Sequence, residues 1–146
     1  MKNIPQSFLR CEKIEKSVTE QGVARVIFPE TSITFEQGKL YAITGSSGVG
    51  KTTFLHLLAG LDTPTFGKIM LNDRLDIARM SEADRLWFRQ SVVGLVFQFH
   101  YLVYELTVLE NVMLPAQIRG LSFDQARVQA KKLIDFVGLS ARASAY

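Results

Sequence analysis

An α/β fold is the class this sequence predicts, with antiparallel β-structure first, an α/β core next and helices last. Three observations predict it. Residues 23–28 (VARVIF) are branched and aromatic, and Ile33 and Phe35 alternate with Thr34 and Glu36, the period of a strand. The apolar run 40–44 (LYAIT) leads straight into a glycine-rich loop and then an apolar, helix-compatible stretch, 53–59 (TFLHLLA). Beyond Gln98 two helix-start signals appear in succession, Thr107 with Glu110 and Ser122 with Gln125.

Taken in order, Gln37-Gly38-Lys39 supplies a turn after the first β region. Residues 40–44 read as a short strand buried on both faces. Gly60 is placed to cap the helix that follows the glycine loop. The segment DTPTFG is turn-rich, and 68–71 predicts a short strand ended by Asn72-Asp73. Ser81, Glu82 and Asp84 mark the start of a helix running to about Gln90. Residues 92–97 predict another buried strand. In the last helix Ala126, Ala130, Leu133, Ile134 and Val137 recur at helical spacing, Lys131 and Lys132 sit late enough to suit the dipole, and Gly138 ends it. Pro115 interrupts the helix before it or ends it soon after.

At 146 residues the chain has room for one compact domain, or one domain and part of another. Hydrophobic residues at 47% and charged residues at 21% exclude a disordered chain. The net charge of +3 suits a polyphosphate ligand but does not argue for nucleic acid. A single cysteine, Cys11, allows no internal disulfide and fits a reducing cytosol. The N-terminal MKNIPQSFLRCEKIEK has no apolar run of signal-peptide length, so secretion is not expected. The apolar window 92–109 is long enough to span a membrane, but Gln98, His100 and Glu105 interrupt it.

The chemistry concentrates in Gly45-Ser46-Ser47-Gly48-Val49-Gly50-Lys51-Thr52, which fits the P-loop pattern G-x-x-x-x-G-K-[ST]. A triphosphate needs many donors converging at close range. Gly45, Gly48 and Gly50 let the backbone turn and approach it. Amides from about Ser46 to Thr53 form an anion nest, and the following helix adds its positive end. Lys51 supplies charge for the β- and γ-phosphates, Thr52 a hydroxyl for Mg²⁺, and Thr53 a contact for the α-phosphate. His56 reads as a half-buried helix residue. His100 has no paired ligand, and Cys11 has no cationic neighbourhood.

The stretch GSSGVGKTTFLHLLAGLDTPTFGKIMLND closely resembles the P-loop region of ATP-binding cassette (ABC) transporter ATPases. VVGLVFQFHYLVYELTVLENVMLP resembles the Q-loop region of the same family, and the interval from Lys51 to Gln98 is a typical one. The resemblance runs from about residue 7 onward, and GLDTPT, QFH and LTVLENVMLP are most similar to the lipoprotein-release and macrolide-export group. It implies a P-loop NTPase of the ABC type: a β subdomain and P-loop core over 7–97, a Q-loop over 98–104 and the start of a helical subdomain over 105–146. It also implies ATP and Mg²⁺ as cofactors, with Gln98 touching Mg²⁺ or the water near the γ-phosphate. The implied partners are transmembrane permease subunits and a second ATPase subunit. The implied location is the cytoplasmic face of the inner membrane. Phe99 to Leu102 would lie near the groove that receives the permease; the alternative for them is core packing.

Two departures from the family bear on activity. The family's adenine-stacking aromatic falls near Val18, and no aromatic lies between Phe8 and Phe28. The family's LSGGQ or LSGGE signature, Walker B acids, D-loop and switch histidine do not occur by Tyr146. The expectation is therefore a truncated ATPase subunit without steady hydrolysis by itself, or else a non-enzymatic fragment that binds nucleotide or an intact transporter. A small P-loop kinase would leave the Q-loop match unexplained.

Overall fold

The computed structural model describes residues 7–146, so residues 1–6 of the leader reading lie outside it. It divides into a first unit extending to Arg89 and a second, Gln90–Tyr146.

The first unit is built on a four-stranded antiparallel sheet in the order β2-β1-β3-β4. Its strands are β1 (Ser7–Glu20), β2 (Val23–Glu36), β3 (Phe66–Leu71) and β4 (Leu75–Asp76). The β-rich N-terminal region predicted from alternation is thus a long hairpin closed at Gln21-Gly22. Its pairing is irregular: Lys16 faces Phe28 but Ser17 faces Val26, so Ile27 is an extra residue on β2. Such a bulge turns the side chains beyond it to the opposite face.

One face of the sheet carries helix α1 (Lys51–Leu58), which buries Phe54 and Leu57. Cys11, Ile14, Ile69, Leu71, Ile77, Met80 and Phe88 are also buried in this unit. Phe88 comes from α2 (Glu82–Ser91), whose predicted start is present: the Ser81 hydroxyl accepts from the Asp84 amide at 3.1 Å. Arg89 donates to the Gly60 carbonyl at 2.9 Å, fixing α2 against the end of α1. There Gly60 and Leu61 donate to Leu57 and His56, the Schellman closure expected of a glycine just past a helix. Lys16 ties the next loop to β1, donating to Asp62 at 2.6 Å and to the Thr63 carbonyl at 2.9 Å.

In the second unit α3 (Val108–Ile118) packs on α4 (Phe123–Phe136) through Met113, Ala116, Ala126 and Ala130. Both predicted capping boxes are complete. Pro115 sits inside α3, which ends three residues later. Gly138 closes α4, with Gly138 and Leu139 donating to Asp135 and Ile134.

Four expectations are corrected. Residues 40–44 form no strand, and Leu40 is 99% exposed. Residues 92–97 form none either, and Val96 is 96% exposed. Both runs are apolar enough for a parallel sheet, but a strand buried on both faces exists only between neighbours that take its hydrogen bonds. No such neighbour lies beside them among the described residues. Leu133 and Val137 of the α4 stripe are exposed: α3 packs on the Ala126–Ala130 side, and of the rest of the stripe only Ile134 is buried. Lys131 and Lys132 are exposed but lie before the last turn of α4, out of reach of the dipole effect assigned to them. No helix among the described residues is long and apolar enough to cross a membrane.

The caps make two predictions. Ser122→Ala should cost about 1 kcal/mol, read from denaturant melting of the helical signal; an unchanged midpoint would show that the cap contributes nothing. Hydrogen bonds from the Thr107 hydroxyl and amide hold the Glu110 carboxyl below the usual glutamate range. A depressed folded pKa means a contribution present above the unfolded value and lost as pH falls through the folded one. Amide protection in the first turn of α3 should therefore drop in acid and be pH-insensitive there in Glu110→Gln.

Candidate functional site

The glycine loop leaves residues 40–44 as irregular backbone, tethered where the Glu36 amide donates to the Tyr41 hydroxyl at 2.9 Å. Tyr41 also meets Phe35 edge-on, with centroids 4.9 Å apart. The loop then turns at Ser47-Gly48 and enters α1 at Lys51. Two glycines are dictated by the geometry. Gly50 is the N-cap residue at φ 95°, and a Cβ there would sit 2.7 Å from the Ile27 carbonyl oxygen and 3.3 Å from the Phe28 ring. Gly45 is at φ 153°, and its Cβ would meet Val49 at 3.0 Å. The loop can lie against β2 only without a side chain at Gly50, and a bare Gly45 leaves room for Val49 within the loop.

One turn into the helix, Phe54 stacks on Phe28, with centroids 4.8 Å apart and planes 7° from parallel, and meets Phe35 at 6.3 Å. This packing orients α1. The first helical bond runs from the Phe54 amide to the Gly50 carbonyl at 2.8 Å. Among the described residues no acceptor pairs with the amides of Ser46, Ser47, Gly48, Val49, Gly50, Lys51, Thr52 or Thr53. Eight consecutive unspent donors at a helix N-terminus make an anion nest. Lys51 Nζ folds back over it, donating to the Gly45 carbonyl at 2.9 Å and the Ser46 carbonyl at 2.7 Å. An ammonium has three donors, so one remains for a ligand. Thr52 is exposed at the loop and Thr53 half-buried. The residues present therefore fit a polyphosphate: a cradle that any Cβ at Gly50 would fill, free amides, and a cation at the mouth.

Gln98 lies in the second unit, exposed, at a bend outside any strand. Phe99, Tyr101 and Leu102 are exposed as well, which removes the core-packing alternative for them. Tyr101 is edge-on to Phe97 and Phe99, at 5.1 and 6.4 Å. The sequence reading missed what holds this loop. Asn111 Oδ1 accepts from the Val103 amide at 2.9 Å, and its Nδ2 donates to the carbonyls of Val103, Leu106 and Thr107 at 3.0–3.1 Å. An amide side chain one turn into the helix was the available signal. His56 is half-buried and His100 exposed. Among the described residues no group of three or more His, Cys, Asp or Glu could hold a metal. Burial pushes the Cys11 thiol up to about 12, so it stays protonated and unreactive.

A family model described as ABC transporter matches residues 28–145. Lipoprotein-releasing system ATP-binding proteins LolD are similar throughout. The relative from Colwellia psychrerythraea is 39% identical over 134 residues, covering 92% of this chain and 52% of that protein. The relative from Nitratidesulfovibrio vulgaris is 43% identical over 133 residues, covering 91% and 57%. A dimeric, post-hydrolysis ATP-binding cassette solved with ADP and Pi superimposes with a TM-score of 0.84 at 24% identity, over 94% of this chain and 60% of that one. The chain belongs to the ABC transporter ATP-binding family, and it spans about half to three fifths of the length of these relatives.

Because Gly50 is both left-handed and in close approach to β2, Gly50→Ala should cost about 1–3 kcal/mol and lower the melting temperature. A neutral result would show that the loop does not lie on β2.

Proposed function

We propose that this chain supplies the Walker A part of an ATPase subunit that couples ATP binding and hydrolysis to lipoprotein release. The observation that carries the reading is the run of unspent amides from Ser46 to Thr53 around Lys51. In this reading Gly45, Ser46, Ser47, Gly48, Val49 and Gly50 wrap the β-phosphate with backbone N–H groups. Lys51 exchanges a carbonyl partner for the β- and γ-phosphate oxygens, and Thr53 reaches the α-phosphate. The Thr52 hydroxyl would hold Mg²⁺, and Gln98 would serve as the Q-loop glutamine that the family resemblance implies. When bound, Mg²⁺ supplies charge that offsets the charge on the phosphate oxygens. Residues 7–97 act as the nucleotide-binding core, 98–104 as the Q-loop and 105–146 as the start of the helical subdomain. The exposed Phe99–Leu102 loop then faces transmembrane permease subunits at the cytoplasmic face of the inner membrane, and a second ATPase subunit completes the dimer.

A second reading is favoured by the exposure of residues 40–44 and 92–97. Apolar, strand-competent runs left open to water suit a module that associates with another polypeptide and binds nucleotide without turnover. A pull-down with an intact LolD-type transporter tests it, and no association would count against it.

Calorimetry of the 146-residue chain should give saturable Mg-ATP binding that is lost in Lys51→Ala. Steady ATP turnover by the purified chain should be absent, since these residues include no Walker B acid and no catalytic glutamate. Lys51-dependent turnover would overturn that expectation. A well-folded wild type that does not bind would overturn the nucleotide reading.

A further inference from the structure

We propose that Arg89 is a positioning residue for the anion nest: from the far end of α1 it neutralises the negative pole of the helix and so strengthens the hold of the glycine loop on phosphate charge. The proposal rests on the triphosphate reading of that loop.

Helix α1 has eight residues, Lys51–Leu58, so its axis is about 12 Å long. Aligned peptide dipoles place a partial positive charge at the nest and a partial negative charge at the other end. In a long helix the negative pole is remote from a ligand at the N-terminus. In α1 it stands only about one screening length away at physiological salt, and it subtracts from the attraction. A two-turn helix therefore gains as an anion site when its C-terminal end carries a cation.

Arg89 supplies that cation. Gly60 follows the helix at φ 65°, and Arg89 Nη1 donates to its carbonyl at 2.9 Å. The neighbouring cations are committed elsewhere. Lys16 is paired with Asp62 at 2.6 Å, so the two add no net charge. Arg85, one turn before Arg89 on α2, faces Glu82 at 3.6 Å and donates to the Met80 carbonyl at 3.3 Å. Arg89 is half-buried and forms no ion pair with an acid among the described residues. A guanidinium withdrawn from water needs a compensating negative potential. The carbonyl end of α1 provides it. Because the same hydrogen bond holds the helix end against α2, the charge stays fixed on the helix axis, behind the nest.

The test is calorimetry on the full 146-residue chain with Mg-ATP and with magnesium tripolyphosphate, which has the phosphates but no base. Arg89→Met keeps an apolar stem and removes the charge. It should weaken both ligands alike, by about two- to fivefold at low ionic strength. The ratio to wild type should shrink as salt rises from about 10 mM to about 1 M, where the screening length falls from about 30 to about 3 Å. Arg89→Lys keeps the charge and should restore most of the affinity. Should Arg89→Met not fold, Arg89→Gln, which keeps a donor for the Gly60 carbonyl without the charge, carries the same prediction. Unchanged affinity would overturn the proposal, as would a loss confined to ATP or no rescue by lysine. A loss of equal size at low and high salt would overturn it too, since it would make Arg89 a brace that only shapes the loop. If wild type binds neither ligand, the triphosphate reading fails and this proposal falls with it. If wild type binds both and Arg89→Met binds them equally well, this proposal alone fails.

Discussion

The docking of α1 on β2 is the constraint on which the site depends. Eight unspent amides are useful only if they converge, and convergence requires a fixed helix axis and a fixed loop. Phe54 fixes the axis by stacking on Phe28. Gly50 fixes the loop by letting the backbone come up against the Ile27 carbonyl. Burial of Phe54 and Leu57 offsets the entropy of ordering a short helix that would not persist in water. The binding chemistry of the loop is therefore set by apolar contacts made one turn away from it.

The second unit reaches order by a different route. Its helices are short and its shared core is small: Met113, Ala116, Ala126 and Ala130. Two complete capping boxes and glycine closures satisfy the helix ends locally. Asn111 does the same for the irregular backbone before α3, binding both the amide and the carbonyl of Val103. The aromatic loop beyond it, with Tyr101 at φ 48°, is held open to solvent by polar anchoring at its base and not by burial.

How far the sequence could be read follows the range of the interactions. The P-loop was legible because its spacing is local chemistry: glycines, lysine and threonine at fixed offsets. The capping boxes at Thr107 and Ser122 were legible for the same reason, since donor and acceptor lie three residues apart. The strands expected at 40–44 and 92–97 failed because periodicity reports what a segment can bury and says nothing of whether a neighbour is there to pair with it. Leu133 and Val137 failed similarly; their spacing was right, but α3 covers only the alanine side. The Ile27 bulge leaves no mark in composition and is visible only in the register of β1 against β2.

The most direct test is an amide NMR titration of the 146-residue chain with Mg-ATP, following Ser46 to Thr53. Convergence of these donors on the phosphates predicts that their resonances move together and saturate, while the α3 and α4 amides stay in place. A folded chain whose loop amides do not respond, or that shifts only elsewhere, would contradict it.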